Sequence, residues 1–217
     1  MRVYRIHSVT GLLLFALLAA DMRDDHTSTA FVHTASYSDT CQGTCEANDS
    51  GTKGEQGSLL SYDPLPDSIY SRRMDALIEI GRAFGDTEEA IRQALGEPVE
   101  RIVRDTTNIH TGDTDTYLIL VYEGIAFTLY RVNATGDELL SRTILIDTIL
   151  NDRLPFAMGA HQVEILDYLG QPFHTAAHGE ELFLMQYETI SEGATDILDF
   201  WMEGDHLVRL EWGFYVD

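Results

Sequence analysis

Two histidines stand four residues apart in His174-Thr175-Ala176-Ala177-His178, with Glu180 and Glu181 just beyond. On a helix this spacing turns both imidazoles to one side, where they and a carboxylate can ligate a divalent metal and activate water for hydrolysis. A helix there has to form between Pro172 and Gly179, and both residues oppose one. The HExxH arrangement of zinc hydrolases is absent as well. The sequence therefore favours a polar loop at His174 and His178, with a metal-dependent hydrolase built on that pair as the alternative reading.

Other chemistry is sparse. Neighbouring carboxylates such as Glu88/Glu89 and Asp24/Asp25 are expected in a chain with 36 acidic residues, and solvated surface explains them better than acid–base work. No GxSxG, phosphate-binding glycine loop or GxGxxG occurs, so no catalytic residue, no cofactor and no metal is expected. Aromatic residues gather near the end: Tyr187, Phe200, Trp201, Trp212 and Phe214. Strand alternation places Phe200 and Trp201 on opposite faces, so one of those rings leaves the core. Trp201 and Trp212 are the candidate partner-binding aromatics, because an exposed ring on a sheet makes a natural anchor. Cys41 and Cys45 form a loop disulfide or two free thiols; CxxC spacing is absent. Asn48-Asp49-Ser50 and Asn133-Ala134-Thr135 are glycosylation sequons in a eukaryotic host.

The elements that position these residues are punctuated by Leu95-Gly96-Glu97-Pro98 and its echo Leu169-Gly170-Gln171-Pro172. One register, with each pair 74 positions apart, aligns Gly85 with Gly159, Ile91 with Ile165, Gly96 with Gly170 and Pro98 with Pro172. In each copy Leu makes the last core contact of a helix, Gly takes the reversal and Pro blocks continuation. A first helix is expected from Asp67 or Ser68 through Ile69, Met74, Leu77, Ile78 and Gly81. A second is expected with Asp86 as N-cap and Glu89 completing a capping box, its stripe being Ala90, Ile91, Ala94 and Leu95. Then follow a polar loop from Asp105 to Asp115 and strands at Tyr117–Tyr122, Ile125–Arg131 and Leu139–Ile149. The second copy begins near Leu154, turns its helix at Leu169, and has strands at Glu181–Thr189, Asp196–Met202 and His206–Val216.

The chain reads as α+β: two tandem helix–β-meander units packed as an antiparallel sheet with the helices on one face. Residues 1–20 read as a signal peptide, with Arg2 and Arg5 ahead of the apolar run Val9–Ala20, the alternative being an N-terminal membrane anchor left uncleaved. Residues 21–66 read as a flexible polar leader, 67–150 as the first unit and 151–217 as the second. The run Val9–Ala20 is shorter than the ~20 residues a spanning helix needs, so no integral membrane protein is expected after cleavage. The bulk of the chain is expected outside the cytoplasm, periplasmic or secreted. With 14 Lys+Arg against 36 Asp+Glu, the formal charge is −22, which repels nucleic acid and anionic lipid.

The helix Gly85-x-Thr87-x3-Ile91-x3-Leu95-Gly96-x-Pro98 followed by a meander resembles the SmpA/OmlA (BamE) family of outer-membrane assembly proteins. Doubled, with Gly159, Ile165, Leu169, Gly170 and Pro172, it is similar to the β-lactamase inhibitory protein fold. His161 stands where that pattern has threonine, and neither a lipid-acceptor cysteine nor intra-unit cysteines occur. The resemblance covers residues 75–217. It implies a non-enzymatic extracytoplasmic role, binding another protein or an envelope component through a sheet surface, with inhibition of a secreted enzyme as the variant of that role.

Overall fold

The computed structural model describes residues 65–179, 182–189 and 195–215. The expected signal peptide, nearly all of the leader, Cys41, Cys45, Asn48, Glu180 and Glu181 lie outside the described residues.

Pro66 opens helix α1 (Asp67–Gly81), its carbonyl accepting the N–H groups of Ile69 and Tyr70. Met74, Leu77, Ile78 and Gly81 recur at helical spacing and are the buried side. Helix α2 (Glu88–Leu95) is capped by Thr87, not by Asp86: the Ala90 N–H donates to Thr87 Oγ1 at 3.3 Å. The cap oxygen has to reach the third N–H of the helix, and Asp86 starts one residue too early for that. Helix α3 (Gln162–Leu169) is capped by His161, whose Nδ1 accepts from the Val163 N–H at 3.2 Å while Glu164 Oε1 accepts the His161 N–H at 3.0 Å. An imidazole thus does the work of the threonine at the matching position of α2.

Gly96 and Gly170 end α2 and α3 with φ of 84° and 77°, a region that L side chains avoid. Each turn is fastened by a tyrosine from the sheet. Tyr122 donates its hydroxyl to the Gly96 carbonyl at 3.1 Å, and Tyr187 donates to the Gly170 carbonyl at 2.9 Å.

Eight strands follow the helices: β1 (Glu100–Thr107), β2 (Thr114–Tyr122), β3 (Ile125–Arg131) and β4 (Glu138–Leu145), then β5 (His174–His178), β6 (Leu182–Glu188), β7 (Ile197–Glu203) and β8 (His206–Gly213). All pairings are antiparallel in one sheet, ordered β1-β2-β3-β4-β8-β7-β6-β5. Six of the strands coincide with expected ones. β1 has no expected counterpart and runs into the start of the loop expected at Asp105–Asp115, β5 replaces the polar loop expected at His174–His178, and the two are the sheet edges. The expected strand Leu139–Ile149 stops at Leu145, where the Asp147 carboxylate accepts from the Thr148 N–H and starts a short 3-10 turn, Thr148–Leu150.

All three helices share one core with one sheet face. Met74, Leu77, Ile91, Ile165 and Leu169 pack with Leu118, Leu120, Phe127, Met185, Phe200 and Trp212. The seam between β4 and β8, from Arg142↔Gly213 to Leu145↔Leu210, lies under the last turn of α1. There Trp212 Nε1 donates to the Leu77 carbonyl at 2.8 Å, and Thr143 Oγ1 donates to the Gly81 carbonyl at 2.9 Å. Arg73 reaches from α1 to α3, donating to the carbonyl of Tyr168 and stacking 4.8 Å from its ring.

Candidate functional site: the second face of the sheet

The side chains that alternate away from the helices make a second surface. Ile119, Ile144 and Leu184 are buried there, outside the helix-side core. Register brings one polar rung across four strands: His174 opposes Gln186, Gln186 opposes Asp199, Asp199 opposes Glu211, and Glu211 opposes Ile144. The next rung is Ala176, Leu184, Trp201 and Arg209.

The polar rung holds two desolvated carboxyls side by side. Burial pushes both Asp199 and Glu211 above the ordinary carboxylate range, against the pull of nearby Arg142 and Arg209. Asp199 Oδ1 accepts from Gln186 Nε2 at 2.8 Å. Glu211 is paired with Arg209, whose guanidinium also sits 5.1 Å from the Trp201 ring centroid. The His178 ring packs on the same indole at 4.8 Å, so Trp201 stands between a cation and an imidazole. Among the described residues three buried polar atoms of this cluster lack a hydrogen bond: the donors Trp201 Nε1 and Arg209 Nε and the acceptor Glu211 Oε1. A buried polar atom left without a partner costs about 1–3 kcal/mol.

The structure separates the expected site residues. His174 and His178 lie on strand β5, where a spacing of four puts them on one face but ~13 Å apart along the strand, too far to share an ion. Among the described residues no group of three or more His, Cys, Asp and Glu side chains is placed to hold a metal. Trp212 is fully buried, hydrogen-bonded to α1, so it cannot serve as a surface anchor; it is the keystone of helix docking. Phe200 is buried and Trp201 leaves the core, as the alternation requires. Asp199, Arg209, Glu211 and Gln186 were not singled out in sequence. Their only signal is a polar residue breaking an apolar strand, Asp199 in one and Arg209-x-Glu211 in another, and strand register is needed to see that these meet.

A second polar knot is structural. Glu88 at the start of α2 accepts from Arg101 at 2.8 and 3.1 Å and from Arg131 at 3.0 Å, and its own N–H donates to Glu138 at 2.7 Å. Hydrogen bonding to Arg101 holds the Glu88 carboxyl below its ordinary value. Every charge in this knot is answered, and it ties α2 to β1, β3 and β4. Asp115 is likewise satisfied, accepting from Tyr130, Asn108 and the Asn133 N–H; the bond from Tyr130 comes first in lowering the carboxyl, and it pushes the phenol up to about 12. The Asn133 side-chain nitrogen, the sequon acceptor, is engaged with the Thr114 carbonyl at 2.9 Å.

No family model matches this chain, and no curated protein matches it. Among solved structures, it is similar to the crystal structure of an extracellular protein containing a SCP domain from Bacillus anthracis str. Ames, at 8% identity and a TM-score of 0.37. That match covers 79% of this chain and 50% of the other, so the chain spans half the length of that protein. Among the described residues no helix is long and apolar enough to cross a membrane.

Proposed function

We propose that this chain is a non-enzymatic, extracytoplasmic binding protein whose second sheet face, centred on Trp201 and Arg209, docks on another protein or an envelope component. The observation that carries this reading is the Trp201 indole, turned out of the core between Arg209 and His178 on a face that no described helix packs against. Trp201 and Arg209 are half-buried there, so a partner that covers the indole and the guanidinium gains aromatic and cation–π contact.

The architecture behind the face is two copies of one unit, related to the SmpA/OmlA and β-lactamase inhibitory protein pattern. Three features support the duplication: the aligned Leu-Gly-x-Pro turns, the N-caps Thr87 and His161 at matching positions, and the tyrosines Tyr122 and Tyr187 that fasten the two turns. Each copy then contributes four strands, and the copies join through β4 and β8. The extracytoplasmic placement is supported by the charge and apolar pattern of residues 1–20.

The test is affinity capture from the native envelope or culture fluid, with the full chain and its Trp201→Phe variant as baits. Phenylalanine keeps an aromatic side chain but gives up part of the indole's contact area, so a partner seen with the parent chain is expected to fall about tenfold in recovery, the equivalent of ~1.4 kcal/mol. Equal capture by both baits defeats the assignment to this face. A stoichiometric transition metal in the purified protein, lost on replacing His174 and His178, defeats the non-enzymatic reading.

A further inference from the structure

The two edge strands of the sheet are matched in position and opposite in protection. β1 and β5 each begin two residues after the proline of a Leu-Gly-x-Pro turn, at Glu100 and His174. In the register that aligns the two turns, Glu100, Arg101, Arg104 and Asp105 fall on His174, Thr175, His178 and Gly179. Charged side chains keep an exposed edge from pairing with another chain, and β1 carries four of them in eight residues. β5 carries no Asp, Glu, Lys or Arg, no proline and no bulge. Among the described residues no strand pairs with its outer side.

The sequence of β5 suits a second copy of itself. His174-Thr175-Ala176-Ala177-His178 reads nearly the same in both directions. An antiparallel copy centred on Ala176 therefore sets His174 opposite His178, with only small side chains between them. The same register brings Phe173 opposite Gly179 of the second copy. Phe173 is 74% exposed, a whole aromatic ring left in water beside the edge. A Cβ on Gly179 would meet nothing within 4 Å, so there is room for that ring. Such a contact uses the same strand on both chains and closes on itself. A contact of β5 with β1 would instead repeat head to tail into an open fibre, and the charges of β1 oppose it.

We propose that two copies of this chain pair antiparallel through β5, about a twofold axis at Ala176, joining two eight-stranded sheets into one. Backbone hydrogen bonds between the edges supply the attraction, and the two Phe173 rings cover its ends. The net charge of −22 on each chain opposes the contact, so the dimer tightens as salt is raised. The contact rests on observations separate from those at Trp201 and Arg209, so either can fail without the other.

Sedimentation equilibrium of the full chain is run in mildly alkaline buffer, which keeps histidine uncharged. The mass is expected to rise with concentration from that of one chain to that of two, and no further. Ala176→Lys sets two like charges face to face on the axis and is expected to weaken the dimer about tenfold. An equal mixture of Ala176→Lys and Ala176→Glu chains is expected to restore it. Phe173→Ala, an exposed change expected to keep the unfolding midpoint, also weakens the dimer about tenfold, which separates loss of contact from loss of fold. The proposal is overturned if the chain stays single at every concentration, if association runs beyond two, or if salt loosens the dimer. It also fails if either variant associates like the parent chain, or if the mixture does no better than each variant alone. A single chain whose β5 amides resist hydrogen exchange places another segment of the same chain on the edge, and that too overturns it.

Discussion

Trp212 lies so close to Gly81 that a Cβ there would stand 2.5 Å from the indole Cγ and 2.6 Å from Cδ1. The contact joins the C-terminal turn of α1 to the seam between β4 and β8, where the Trp212 N–H and the Thr143 hydroxyl already hold two helix carbonyls. Helix, seam and both halves of the sheet are locked at this one point.

That geometry reverses the usual sign of a glycine substitution. In an open helix Gly81→Ala would stabilise by about 1 kcal/mol through backbone entropy. Here the added methyl has to displace a buried indole, and overpacking of this kind costs about 1–3 kcal/mol. Urea denaturation is expected to show Gly81→Ala less stable than the parent chain. A gain would show that the indole moves freely and that α1 is not docked as described.

The two tryptophans are expected to separate cleanly when each is changed to phenylalanine. Trp212→Phe removes a satisfied buried hydrogen bond together with core volume, and a loss of about 1–3 kcal/mol is expected. Trp201→Phe removes a donor that has no acceptor, so stability is expected to hold or rise slightly while partner capture falls. Chemical denaturation of both variants settles the contrast. If Trp201→Phe costs as much as Trp212→Phe, the Trp201 donor is satisfied in solution.

These residues also show where sequence reading succeeds and stops. The Leu-Gly-x-Pro turns are local chemistry, since a helix end, a positive φ and a proline all act within four residues, and α1, α2, α3 and six strands followed from such signals. β1 and β5 did not. As sheet edges they alternate only weakly, with half-exposed residues such as Ile102 and Arg104 between exposed ones, so they lack the apolar period that marks an inner strand. Trp201 and Trp212 look alike in sequence, and only the pairing of β8 with β4 and the crossing of α1 decide which ring is buried. Asp199 and Glu211 meet across strands, a relationship that depends on register and leaves no trace in spacing.

The cap on α3 makes a test of how interchangeable the two repeated positions are. His161 and Thr87 offer different atoms to the same task, an imidazole nitrogen at 3.2 Å and a hydroxyl oxygen at 3.3 Å. His161→Thr is expected to keep the stability of the chain near neutral pH, whereas His161→Ala loses the acceptor and about 1 kcal/mol. Thermal unfolding of the two variants measures this. Equal losses would mean that His161 contributes through its ring contact with His206, 5.5 Å between centroids, and not through the cap.

Carboxyl titration is expected to pull stability in two directions at once. Burial raises Glu211, so the folded chain holds that proton more tightly than the unfolded one. Its contribution is complete below the ordinary glutamate value of 4.5 and is lost as pH rises from there through the raised folded value. Asp115 is lowered, above all by its bond from Tyr130, so its contribution is present above the ordinary aspartate value of 3.8 and is lost as pH falls through the lower folded value. Glu211→Gln and Asp115→Asn each remove one titration while keeping shape. Relative to the parent chain, Glu211→Gln is expected to gain stability as pH climbs above 4.5, and Asp115→Asn to lose ground as pH climbs from the lowered folded value to 3.8, the difference holding constant above that. Urea midpoints taken from strongly acidic to neutral pH read both slopes, that of Asp115 below 3.8 and that of Glu211 above 4.5. Slopes of the same sign would mean that the Arg209 pairing at Glu211 outweighs its burial, and the second face would then carry a settled ion pair where the structure places a strained one.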